Sequence, residues 1–323
     1  MAGLANIFCN IFPRLGSLVL VLLVLAWPSL GVTAPKQVVV LLSEDAALYK
    51  DAANAIRDGL ENEIASGKLA LRILVAGDVG LAVASTQPDT LLVPLGAKAA
   101  QTAAQLNQPA LAGLVARQSY EKLFIPNSGA QRRETSAIYL DQPLSRYVQL
   151  VRAVQPQAKT IGVLLGSTQM TLQPPLNSAA QASGMRMTSA IVNSNAELFA
   201  TLQGVLPNID VLLLLPDPMV VNRNSVQHLM LSAYRQHVPT LGYSQNLVEA
   251  GALAAVFSTP QQIGKQLAET ILGMLPGKGW DLPSPAYPKY FSIKTNASVA
   301  RSLDIAMPGD TTLTQRMGTG AGL

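Results

Sequence analysis

The sequence is poor in cysteine, histidine, aromatic residues and charge. Its 323 residues hold one cysteine, two histidines and two tryptophans, with 5% aromatic and 13% charged side chains. The cysteine, Cys9, precedes a long apolar run. A chain trimmed of that run has no thiol, which excludes disulfides, cysteine-ligated zinc and cysteine nucleophiles together. Cys9 also stands before the run rather than at its end, where a lipid-attachment cysteine would have to sit. His228 and His237 are too far apart along one helix to share a metal, and no H-E-x-x-H or G-x-S-x-G pattern occurs, so no metal, cofactor or catalytic residue is expected. The stretch Gly273 to Gly279 is one residue short of a phosphate loop and has no Ser or Thr after Lys278. The net charge of +4 is scattered, and its one local cluster, Arg132-Arg133, is followed at once by Glu134. Without a basic stripe no nucleic-acid partner is expected. Trp27 lies in the apolar run and Trp280 in a late linker, which leaves no evident platform for stacking a sugar.

What is present begins at the N-terminus. Among residues 1–34 the only charged side chain is Arg14, and the apolar run Leu15 to Trp27 is broken by Pro28. This order of n-region, h-region and exit predicts a secretory signal peptide, cleaved between Gly31 and Ala34, and with it a periplasmic address. An uncleaved anchor over Leu15–Ala34 is the alternative, since a span needs about 20 apolar residues, but Pro28, Ser29 and Gly31 interrupt the run. With 49% hydrophobic residues the remaining chain can build its own core without disulfides.

Beyond the leader, β-branched and leucine-rich runs alternate with helix-length amphipathic stretches, the pattern of parallel strands covered on both faces. Strands are expected at Gln37–Leu42, Leu69–Val75, Thr90–Pro94 and Ala110–Val115, and again at Thr160–Leu165, Arg186–Val192, Val211–Leu215 and Pro239–Gly242. The two sets repeat at an offset of roughly 120 residues, so each half reads as one doubly wound α/β lobe. Helices are expected over Ala46–Ala65, Lys98–Leu106, Gln142–Val154, Ala196–Leu206, Asn222–His237 and Pro260–Leu275, the last preceded by a strand at Ala252–Phe257. The first lobe is assigned residues 35–135 and 260–275, and the second 136–259 and 289–308, with the weakly periodic Ser119–Ser136 as the passage between them. Gly309–Leu323, polar and rich in glycine, is expected to be a flexible tail.

In open parallel sheets ligands bind beyond the carboxyl ends of the strands, where loops and helix N-termini converge. The residues there are Ser43, Glu44, Gly96, Ala97, Gly166, Ser167, Thr168, Asp217, Tyr243 and Ser244, all candidates for ligand contact and all equally fit to make turns or caps. Lys98 is a weaker candidate for a ligand carboxylate. Asp217, held between Pro216 and Pro218 after the run VLLLLP, is suited either to accept a ligand ammonium or hydroxyl or to cap the next helix.

Several segments together carry a resemblance: Leu95 to Ala100 (LGAKAA), Thr160–Leu165, Asp217-Pro218, Val238–Ser244 (VPTLGYS), Gly251–Ala255, Gln262–Gly264 and Tyr290–Ile305. In order and spacing they resemble the ABC-transporter substrate-binding proteins of the type I periplasmic-binding class, in the branch with tryptophan-binding-like members, over roughly Gln37 to Pro308. The resemblance implies two lobes joined by three hinge crossings, here near Arg133–Tyr139, Phe257–Pro260 and Pro276–Pro288, closing on a small polar, amino-acid-like ligand. It also implies delivery to an ABC permease by a monomer that is not an enzyme. Where many relatives carry an Asp-Pro turn after the fourth strand, this chain reads Ala116-Arg117-Gln118-Ser119. A sensor or accessory module for a receptor kinase or outer-membrane importer is the alternative, and a hydrolase on the same scaffold is the least supported.

Overall fold

A computed structural model of the chain describes residues 35–77, 90–106, 108–125, 134–277 and 279–319. The leader expected over residues 1–34, the Arg132-Arg133 pair and Lys278 lie outside the described residues. Lys36 to Leu323 forms one compact unit, and within it the chain builds two sheets.

The first sheet has the order β2-β1-β3-β4-β5, with β1 at Lys36–Leu42, β2 at Leu69–Val75, β3 at Thr90–Leu95, β4 at Ala110–Val115 and β5 at Thr135–Tyr139. All of its pairs are parallel. Strands buried on both faces need apolar side chains at every position rather than at alternate ones. In β1, Val38, Val40 and Leu42 enter one core and Val39 and Leu41 the other. The first face is covered by α1 (Ala47–Gly59) and the second by α3 (Ala97–Ala103) and α4 (Arg117–Phe124), while α2 (Glu61–Ala65) leads into β2.

The second sheet has the order β11-β10-β9-β8-β6-β7, from β6 (Thr160–Gly166), β7 (Arg186–Val192), β8 (Val211–Leu213), β9 (Thr240–Gly242), β10 (Ala254–Phe257) and β11 (Ser292–Thr295). Only β11, at the edge, runs antiparallel to its neighbour. Helices α5 (Leu144–Val154) and α6 (Gln173–Ala182) pack against Val163, Leu165 and Leu213. On the opposite face, Leu164, Leu212 and Leu214 meet α7 (Asn195–Val205), α8 (Val226–Arg235) and α9 (Gln245–Glu249). Reversed, the second order reads β7-β6-β8-β9-β10, the same winding as the first sheet. The repeat expected from sequence is therefore present and extends to a fifth pair, β5 with β10. The architecture is two doubly wound α/β lobes of the type I periplasmic-binding kind.

The chain passes between the sheets three times, and two passages fall elsewhere than expected. Thr135–Tyr139, assigned from sequence to the first crossing, is the last strand of the first sheet, and the passage follows it at Leu140–Pro143. The second passage, Ser258–Thr259, leads into α10 (Pro260–Met274), opened by a capping box between Thr259 and Gln262. Helix α10 returns to the first lobe and crosses α1 at small residues. A Cβ on Gly264 would stand 2.3 Å from the Ala52 carbonyl oxygen, so only glycine permits this approach. The linker after α10 also stays with the first lobe. Trp280 is buried in its core, and Ala286 pairs with β5 by accepting from the Tyr139 N–H and donating to the Ala137 carbonyl. The third passage is thus confined to Pro288–Phe291, just before β11.

The expected flexible tail is instead a helix from Asp310 to Thr319, α12, which follows the short α11 (Ala297–Ser302). Leu313 and Met317, one turn apart, are buried in the second lobe's core. The Asp310 carboxylate accepts from the Thr295 N–H at 3.0 Å and from the Lys294 ammonium at 3.2 Å, tying the helix start to β11.

Candidate ligand-binding site

The carboxyl ends of the parallel strands turn the two lobes toward each other: Gln118, just past β4, and Gln169, just past β6, come within 3.5 Å through their carboxamides. The ten residues expected to line this region divide into an outer and an inner set.

In the first lobe Glu44, Ala97 and the neighbouring Lys98 are exposed, whereas Ser43 and Gly96 are buried. The Ser43 hydroxyl donates to the Leu95 carbonyl at 2.8 Å and accepts from the Ala99 N–H at 3.0 Å. Gly96, the residue before α3, has no side chain to cap it, and Ser43 satisfies that helix N–H from another loop. Gly96 is held at φ 89°, and a Cβ there would stand 2.5 Å from Tyr49 Cε1 and 2.6 Å from the Ser43 oxygen. Glycine is required twice, for its left-handed φ and for Tyr49 lying across it.

In the second lobe Ser167 and Thr168 are exposed, Tyr243 and Ser244 are half-buried, and Gly166 and Asp217 are buried. Asp217 is only 3% exposed. Its carboxylate accepts from the Gly166 N–H at 2.6 Å and from the Met219 N–H at 3.0 Å. Asp217 therefore pins the end of β6 to the turn after β8 from a buried position, and it does not cap the next helix, α8, which begins only at Val226. Burial, together with the nearby Asp217 charge, pushes the Tyr243 hydroxyl above the ordinary tyrosine pKa. Ser244 caps α9 by accepting from the Leu247 N–H at 3.4 Å.

Arg117 opens α4, just past β4. Its guanidinium donates to Glu121 at 2.7 Å and to the Tyr287 hydroxyl at 3.0 Å, and these two hydrogen bonds raise its pKa further. Its backbone N–H donates to Asp141 at 2.6 Å. Burial raises the Asp141 pKa above the usual carboxylate value, a shift that the Arg117 N–H opposes. Beneath this cluster Tyr139 packs edge-on to Tyr120 and Tyr287, and burial pushes its hydroxyl up to about 12. Sequence reading noted the stretch Ala116–Ser119 without naming Arg117 as a site residue, and it missed Tyr49, Tyr139, Asp141 and Tyr287, which do not all directly follow an expected strand. Among the described residues no group of three His, Cys, Asp or Glu side chains could hold a metal ion.

The fold is that of a two-lobed α/β protein with parallel sheets in both lobes. The family model for ABC transporter substrate binding proteins matches residues 138–314, more than half of the chain, and the chain belongs to that family. Similar solved structures include a conserved domain protein from Vibrio cholerae, 21% identical, covering 86% of this chain and 97% of that one with a TM-score of 0.56. The ABC domain in complex with L-Trp from Streptococcus pneumonia is 20% identical over 87% of this chain and 98% of its own, with a TM-score of 0.55. The ligand-free, open form of CD0873, a substrate binding protein with adhesive properties from Clostridium difficile, is 18% identical over 84% and 96%, with a TM-score of 0.66. At these identities the likeness establishes the fold. No curated protein matches the sequence.

Proposed function

We propose that this protein is a periplasmic solute receptor that closes its two lobes on a small polar, amino-acid-like molecule and delivers it to an ABC permease, as a monomer and without catalysing a reaction. The observation that carries this reading is the meeting of Gln118 and Gln169, which brings the strand ends of the two sheets face to face in a member of the substrate-binding family. Glu44, Ala97, Ser167, Thr168 and Tyr243 are the ligand-facing candidates. Ser43, Gly96, Gly166, Asp217 and Ser244 act behind them by fixing the loops that carry them. The apolar leader over residues 1–34 supports export, and among the described residues no helix is long and apolar enough to cross a membrane.

The test is a thermal-shift screen of purified protein, first stripped of bound solute by unfolding and refolding, against amino acids, peptides, purines and small organic anions. A true ligand at 100 times its dissociation constant stabilises the fold by about 2.7 kcal/mol. A flat response across all four classes sinks the receptor reading.

A further inference from the structure

The three passages between the lobes are cross-linked to one another through side chains. Gln142, in the first passage, donates from its carboxamide nitrogen to the Ser258 hydroxyl of the second at 2.9 Å. Ser258 in turn donates to the Tyr290 carbonyl of the third at 2.6 Å. Arg146, on the first turn of α5, closes the circuit, because its Nη1 donates to the Gln142 carboxamide oxygen at 2.5 Å and to the Pro288 carbonyl at 2.9 Å. Its guanidinium also stacks over the Phe291 ring at 4.4 Å. Gln142 is 2% exposed and Ser258 8%, so neither can replace a lost partner with water.

We propose that Arg146, Gln142 and Ser258 form a hydrogen-bonded keystone that makes the three crossings turn as one hinge, with Arg146 setting the resting angle between the lobes. Independent rotation of any one passage would strand buried polar groups on the other two, so the low-energy motion is the concerted one. Hinges absorb large φ/ψ changes over a few residues. Here those changes are confined to the residues flanking the ring, and the lobes keep one preferred separation in the absence of solute. The proposal rests on the two-lobed closure put forward above, but its test needs no ligand. A receptor reading that fails in the solute screen therefore leaves the test of the hinge intact.

The experiment measures the distance between spin labels by double electron–electron resonance on the full chain, in a Cys9→Ser background. Labels are placed at Glu61→Cys in the first lobe and Gln181→Cys in the second, both exposed positions. The unmodified hinge should show one narrow distance distribution. Arg146→Met should lose it to a broad or two-population distribution, Ser258→Ala should broaden it less, and Arg146→Lys, which can serve one carbonyl but not the full circuit, should fall between. Circular dichroism checks that each variant is folded, and if Arg146→Met is not, Ser258→Ala and Arg146→Lys carry the test. Distributions that match the unmodified protein in folded variants overturn the proposal.

Discussion

Asp217 shows how a residue with an obvious chemical use can serve a less obvious one. Its two carboxylate oxygens hold the N–H groups of Gly166 and Met219 in a place that water does not reach. Asp217→Ala should therefore cost about 1–3 kcal/mol of stability, the penalty for leaving buried donors unpaired, and Asp217→Asn, which keeps one acceptor, should cost less. Urea unfolding measures both, and an unshifted midpoint for the alanine variant would return Asp217 to the role of an open ligand group. Sequence located this residue, and the nine others past the strand ends, because strand ends are local features. Their bonding partners were not legible, since Ser43 meets Leu95 and Ala99, and Asp217 meets Gly166, only after the sheets have assembled.

Among the elements, strands of the first sheet such as β1 and β3 were legible because double-sided burial writes a continuous apolar run into them. Strand β5 is only five residues, TSAIY, and follows a polar stretch, so its pattern is too brief to separate from a linker. The C-terminal helix is a stronger case. Its buried side chains in the second lobe's core, Leu313 and Met317, are few against a run of Thr and Gly, and such a helix forms because it docks, not from propensity. A chain ending at Pro308 should lose about 3 kcal/mol or more, because two fully buried apolar side chains contribute about 1.5–3 kcal/mol each. Chemical denaturation of the truncated and full chains measures the difference, and equal stabilities would mean that the helix contributes nothing to the second lobe.

At the scale of the whole molecule, lobe membership does not follow chain order. Helix α10 comes after five parallel strands of the second sheet yet fills the first lobe's core with Ile263, Leu267 and Ile271. A chain cut to residues 140–319 keeps the entire second sheet and carries α10 without the sheet it covers. It should bind a hydrophobic dye such as anilinonaphthalene sulfonate, whereas the full chain should not. A fragment that stays dye-free and cooperatively folded would show that α10 does not need the first lobe to bury its apolar face.

Composition and periodicity alone determined that this is an α/β chain of two similar halves, built without thiols around an apolar core and carrying an apolar leader-like segment. These properties follow from which side chains recur at which spacing, and spacing is visible in one dimension. Tertiary structure decided where the chain crosses between lobes, that its last described helix is ordered, and that Asp217 clamps a loop from a buried position. Each of these depends on contacts between residues far apart in sequence, such as Gln142 with Ser258 or Gly264 with Ala52, whose free energy exists only once both partners have been brought together.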